Sequence, residues 1–449
     1  MASSMVAPDL EAIGHDLNIT NSAEKALALS IFVGAYALGP LMWAPLSELY
    51  GRIIILQLSN LFFCIFNLGC GVAQTKSEMI AFRFLSGIGG SGPLSVAGGL
   101  ISDMFEAEDR GRAISVYSLV PLLGPAIGPI AGGWIVVYVS WRWVFYSTCI
   151  ACVLIQLIGC LVLRETYAPV ILARRRARIV EETGMTELQL VDLEAEPSTG
   201  KALEQRKSLL LMLRITLTRP FRLITTQPIL QILSLYVMYL YGIVYLVLST
   251  FPALWSTKYH QTPGVASLNY ISLAIGFILG SQICAPLQDR IYIAMKCRRA
   301  MRRRQNGEDE EEDGGQPEFC LPTMVIGAII VPIGLLIYSW SAEQQLHWIA
   351  PNVGATLYAA GTIIGFQCTQ GYIIHSYGPF AASATAATTF LRSLAGLGFP
   401  LFAPIMYSRL GYGKAGSILA GTAVILGWIG PVILWRYGEG LRNRSKFKV

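Results

Sequence analysis

The chain has 449 residues, 53% of them hydrophobic and only 14% charged, against about 25% charge in an ordinary soluble domain. That balance excludes a soluble globular protein. The net charge of +6 does not point to nucleic acid, because the basic residues cluster beside apolar runs and so report membrane topology.

A helix needs roughly 18 to 25 apolar residues to cross a bilayer. Runs of that kind lie at 26–46, 54–73, 79–101, 112–136, 143–163, 228–252, 265–287, 321–340, 349–374, 380–404 and 414–435, which makes eleven. Only Arg83 and Arg392 place a charge inside them; Arg112 and Lys414 stand at the boundaries of their runs. The fold class expected is therefore all-α and polytopic. The nine cysteines lack metal-ligand spacing and suit small buried side chains, so no metal and no cofactor is expected. No signal peptide is visible, since Pro8-Asp9-Leu10-Glu11 puts acid where an apolar core is needed.

Two loops are long. Residues 164–227 hold eleven Lys/Arg, and 288–320 hold seven basic residues followed by the acidic run Glu308 to Asp313. The basic loops are assigned to the cytoplasm, with the C-terminal Arg442, Arg444, Lys446 and Lys448. The first run then travels from outside to inside. The 164–227 segment divides the runs into five and six, and transporters are often built from two matched halves. A twelfth helix is therefore expected before Met1, with its outer end at residues 1–8. The expected organisation is a first bundle over 1–163 and a partly amphipathic linker over 164–227. A second bundle follows over 228–436, with a disordered loop at 291–318, and then a tail over 437–449.

The first cytoplasmic turn carries Gly39, Pro45, Glu48, Gly51 and Arg52. Glu48 is placed to meet a helix terminus or Arg112, with Arg110 beside it, and Gly51 permits the tight turn. A like element in the second half holds Gly280, Asp289 and Arg290. The repeat reads as a charge latch on the inward gate, or more simply as topology anchoring. Arg83 lies a few residues into its run. A charge there marks a functional site by default, unless it snorkels to the interface.

Gly124, Gly128 and Gly132 recur every four residues on one helix face, which permits close helix contact, while Pro125 and Pro129 bend the helix. That face is expected between the two halves. The glycine-rich stretch after Arg83 is no phosphate loop, because it lacks the Gly-Lys-Ser/Thr ending. Tyr236, Tyr239, Tyr241, Tyr245, Asn269, Gln367 and Gln370 add aromatic and amide groups within runs, suited either to packing or to a pocket for an amphipathic organic molecule. No carboxylate is read deep inside a run; Glu48, Asp103, Glu165 and Asp289 stand near the ends.

Together these segments resemble the major facilitator superfamily, and within it the fungal twelve-span drug:proton antiporters. Residues 39–52 are similar to its signature loop between spans two and three, 124–133 to its span-five antiporter motif, and Arg83-Phe84 onward to its span-four arginine pattern. Arg219-Pro220-Phe221, Asn269-Tyr270-Ile271-Ser272 and Phe390 to Gly396 resemble the fungal subgroup. The chain departs from the pattern where Ile53 follows Arg52 in place of a second base, and at His375, where the subgroup often has an acid.

The resemblance implies the fold of that superfamily with 11 of 12 spans present. It implies alternating access, with Arg83 and Arg392 among the pathway residues. It further implies proton-driven export of small organic compounds across the plasma membrane by a monomer. The expected partners are the lipid bilayer, a small organic substrate and protons; neither an enzyme nor a nucleic-acid binder is expected. The alternatives are an uptake carrier or uniporter of the same fold, and a truncated, non-transporting or regulatory relative.

Overall fold

The computed structural model describes residues 2–104, 124–125, 127–183, 209–306, 316–377 and 381–443. The first half opens with a 3-10 turn, Ala7–Asp9, and α1 (Leu10–Asp16). It continues through α2 (Ser22–Ala35), α3 (Gly39–Tyr50), α4 (Arg52–Val72), α5 (Lys76–Gly90), α6 (Gly92–Met104), α7 (Ile127–Tyr138) and α8 (Arg142–Val162). Next come α9 (Ala168–Thr183) and α10 (Leu209–Thr226). The second half holds α11 (Pro228–Thr257), α12 (Pro263–Leu268), α13 (Tyr270–Asn306), α14 (Leu321–Glu343), α15 (Ile349–Tyr377) and α16 (Ala381–Asn443).

Local chemistry sets the helix starts. Asn21 caps α2 by accepting the Ala23 N–H at 2.9 Å. Thr75 caps α5 through the Glu78 N–H at 3.2 Å, while Glu78 accepts the Gln74 N–H at 3.0 Å, a reciprocal capping box. Gly51 separates α3 from α4 at φ 108, a conformation that a side chain disfavours.

In the first half α4 packs on α5 and α8, and α2 on α5; in the second, α15 packs on α13 and α14, and α16 on α11 and α14. The halves meet where α2 lies against α16. A Cβ on Gly34 would come within 3.0 Å of Leu397, and one on Gly396 within 2.7 Å of Val33, so these backbones meet because the crossing residues lack side chains. Ile65, Leu154, Leu161, Ile425 and Val432 stay exposed, large apolar side chains of the kind that lipid covers.

Among the described residues, nine helical segments are long and apolar enough to cross a membrane, where eleven runs were expected. The ninth, Ser383–Arg442, contains two of the runs, with a non-helical Gly411 (φ 75) between them. The run at 112–136 enters the described residues only at Gly124, and α7 alone is too short to span. The loop read as disordered from 291 is also corrected. Helix α13 continues to Asn306, so 291–306 is helical, in line with the high helix propensity of its Ala, Met, Lys and Arg residues.

Candidate functional site: a buried arginine, two cavities and the helix caps around them

The turn after α3 is built on Arg52, which is buried. Its Nε donates to Asp103 Oδ2 at 3.2 Å and its Nη1 to Ser47 Oγ at 2.8 Å, and its guanidinium lies 4.7 Å from the centre of the Tyr167 ring. Glu165, just beyond α8, caps α4: its Oε1 accepts the Arg52 N–H at 2.9 Å and its Oε2 the Ile53 N–H at 3.2 Å. Four free N–H groups and a positive helix end make this a natural carboxylate site.

The second half repeats the device at the other end of the bundle. Glu343 accepts the N–H groups of Tyr412 (2.6 Å) and Gly413 (3.3 Å), directly after Gly411. Sequence reading noted Glu165 only as a boundary residue and passed over Glu343. Both stand more than 65 positions from the groups they cap, so no local signal exposes them. Gly39 and Pro45 are buried in α3, while Glu48 is exposed. Asp289 and Arg290 are exposed on α13, and no ion pair joins either among the described residues. Arg110 and Arg112 lie outside the described residues.

Arg83 is fully buried and does not snorkel. Its Nε donates to Ala28 O at 3.1 Å and its Nη1 to Ala2 O at 3.3 Å, while Nη2 has no partner among the described residues. The guanidinium lies 4.6 Å from the Phe32 ring centre and 5.8 Å from that of Phe145, which suits a cation held away from water. Gly124, Gly128, Pro129 and Gly132 are buried, and Pro125 is half-buried. The stripe packs on the chain start: Ser4 Oγ donates to Gly124 O at 3.4 Å, and a Cβ on Gly132 would collide with the Met5 carbonyl. The contact with the other half comes from Gly133, whose Cβ would lie 2.5 Å from Ser267.

A cavity of about 180 Å³ brings together Gln367 and Gln370 of α15 with Arg392 of α16, along with Val237, Phe366 and Thr388. Gln367 donates to Ser281 Oγ at 2.8 Å, leaving its Oε1 unpaired, and Gln370 donates to Thr385 Oγ1 at 3.0 Å. Arg392 lies 5.2 Å from the Tyr241 ring centre, and Tyr241 packs against Tyr245 and Phe366. The remaining tyrosines are packing residues here. Tyr239 donates to Leu419 O and Tyr245 to Ser3 Oγ at 3.4 Å, while Tyr236 is buried and its hydroxyl has no partner among the described residues. Asn269 is engaged with Gln261 (2.8 Å) and Asn352 (2.7 Å).

A larger cavity of about 500 Å³ opens at the Gly411 end, between α1, α2, α11, α12 and α16. Serine and threonine hydroxyls, Tyr270, Tyr407, Tyr412 and the Lys25–Glu11 ion pair (2.6 Å) line it. Just behind it lies the carboxylate of Asp9. Asp9 is 0% exposed and neither oxygen has a hydrogen-bond partner among the described residues. Burial alone pushes this carboxyl well above the ordinary carboxylate range. The legible signal was apolar spacing: Met5, Val6, Leu10, Ile13 and Leu17 are buried around it.

The Major Facilitator Superfamily profile matches residues 1–400. The chain is 45% identical over 447 residues to the efflux pump vrtL of Penicillium aethiopicum, covering 100% of this chain and 84% of that protein. It is 41% identical to the MFS-type transporter oryF of Aspergillus oryzae, over 99% of this chain and 87% of that one. It is 36% identical to the efflux pump radE of Floropilus chiversii, over 100% and 79% of the two chains. Among solved structures, the partially occluded, inward-open xylose transporter XylE from E. coli superposes with a TM-score of 0.65 at 14% identity, covering 97% of this chain and 93% of that one; this likeness concerns the fold. With these relatives, its apolar helices and its two-half packing, the chain is a multi-span membrane transporter that belongs to the major facilitator superfamily.

Proposed function

We propose that the chain exports small organic compounds (drugs, toxicants or fungal secondary metabolites) by proton-coupled alternating access. The observation that carries this reading is the kinship along the whole chain with fungal proteins named as efflux pumps, at up to 45% identity. The cavity brings the Arg392 cation and the amides of Gln367 and Gln370 beside Val237, Phe366 and Ile373, with the Tyr241 ring 5.2 Å from Arg392, which suits an amphipathic organic molecule.

In this reading the chain belongs with the fungal twelve-span drug:proton antiporters, and its two matched bundles hold eleven spans. The segments on either side of Gly411 count as two spans, and α7 belongs to the apolar run read over 112–136. Arg52, Asp103 and Glu165 brace the cytoplasmic gate, and Arg83 acts on the pathway of the first half. The protein works as a monomer in the plasma membrane.

The test is expression in an efflux-deficient host with a panel of fluorescent organic compounds. Cells should retain less of at least one compound, and an uncoupler should restore its retention. Equal retention with and without the protein across the panel, at verified surface expression, would remove the exporter reading. Faster entry of a compound would favour the uptake carrier instead.

A further inference from the structure

We propose that Asp9 is a proton-binding site: its carboxyl holds a proton in the arrangement described here and exchanges it through the adjoining 500 Å³ cavity. The argument starts from what surrounds the group. Asp9 closes the 3-10 turn Ala7–Asp9, is 0% exposed, and makes no hydrogen bond through either oxygen among the described residues. An ionised carboxylate without donors or a counter-ion is among the costliest groups to bury, and a bound proton removes that cost.

The elements packed on this turn are α1 and α11. From α11, the stretch that lines the cavity, Ser249 to Thr257, carries no charged side chain. From α1, Glu11 is paired with Lys25 at 2.6 Å, Asp16 with Arg142 at 2.7 Å, and His15 is exposed. Tyr270 of α13 lines the cavity, and its hydroxyl is committed to Leu248 O at 2.8 Å. Tyr407 and Tyr412 of α16 line the cavity. Among the described residues no cation faces Asp9, and a carboxylate with no solvent access has no room for a larger ligand. The proton has a short route, because the neighbours Pro8 and Leu10 themselves line the cavity. The step is simple: the carboxylate takes one proton to become the acid, and returns it when the cavity reaches it.

What the proton would drive rests on the exporter reading; that Asp9 carries one does not. The experiment therefore has two arms on the full chain, purified and reconstituted in lipid. In the first, infrared spectroscopy follows the carbonyl stretch of protonated carboxyls against pH, for the native chain and for Asp9→Asn. A band present at neutral pH in the native chain and missing in Asp9→Asn is expected. Its absence from the native chain at neutral pH would overturn the proposal. The asparagine side chain imitates the neutral acid, so a variant that fails to fold would show that the ionised form is needed, which also overturns it.

In the second arm, the ratio of pH-gradient-driven flux to substrate exchange is measured for any compound the native protein moves. Asp9→Asn should lower that ratio about tenfold or more, and Asp9→Glu should restore part of it. An unchanged ratio would overturn a coupling role. If the native chain moves nothing while the band is present, the exporter reading fails and the proton site stands.

Discussion

The Glu165 carboxylate occupies the space that a side chain on Gly51 would need, and from there it takes the N–H groups of Arg52 and Ile53. Gly51 is thus glycine for two reasons, its φ of 108 and this carboxylate. Removing the acid with Glu165→Ala should cost about 2 kcal/mol, typical of hydrogen bonds to a charged group. Gly51→Ala should cost as much or more. Both are read as a lower melting temperature in detergent, and Glu165→Gln should recover part of the loss. Melting curves that match the native protein would show that the cap does not hold the helix start.

Arg83 is fully buried, with two carbonyl partners and two aromatic faces. Arg83→Gln should reduce transport at least about tenfold, and Arg83→Lys should not restore it, because one ammonium cannot reproduce the planar contacts. The assay is efflux normalised to surface protein. Full activity in either variant would confine Arg83 to packing.

Arg392 and Gln367 share the smaller cavity. For a transported compound, Arg392→Ala and Gln367→Ala should raise KM several-fold, about 1 kcal/mol of binding each, with kcat less affected. Equal losses in kcat and unchanged KM would place them in the conformational change instead.

Asp16 accepts from Arg142 Nη1 at 2.7 Å and from Trp141 Nε1 at 3.0 Å, and these bonds, Arg142 first, hold its carboxyl below the usual range. A depressed folded value means that the stabilisation is present above the unfolded carboxylate value and is lost as pH falls through the folded one. Asp16→Asn should therefore melt slightly lower than the native chain at neutral pH. The gap should close in acid. The effect is small because the site is solvated and screened. A gap that persists at low pH would assign the effect to shape rather than charge.

At the end of the bundle opposite Gly411, Glu318 takes Arg442 Nη1 at 2.9 Å and the Tyr372 hydroxyl at 3.3 Å, tying the starts and ends of three helices. A double-mutant cycle of Glu318→Gln and Arg442→Met should give a coupling of about 1–3 kcal/mol. Strict additivity would mean that each acts alone.

The sequence revealed what depends on composition and local spacing. Apolar length located the helices, Gly124 to Gly132 marked a close-packed face, and Gln367, Gln370 and Arg392 do line one cavity. Other features were hidden because they depend on distant pairs. Glu165, Glu343 and Glu318 gain meaning only from partners 54 to 124 positions away. The burial of Asp9 was hidden too, because it depends on the packing of α1 and α11 around the turn. Gly133, not the stripe beside it, reaches the other half, since the stripe faces the chain start.

The two carboxylate caps sit at opposite ends, Glu165 in the first half and Glu343 in the second. Each half is thereby clamped at one mouth and left unclamped by this device at the other. Two bundles stiffened in this crossed way are not mechanical copies, despite their matched helices. When they rock, the turn at Gly51 should travel with the first body and the turn at Gly411 with the second, because each cap ties two helices of its own half.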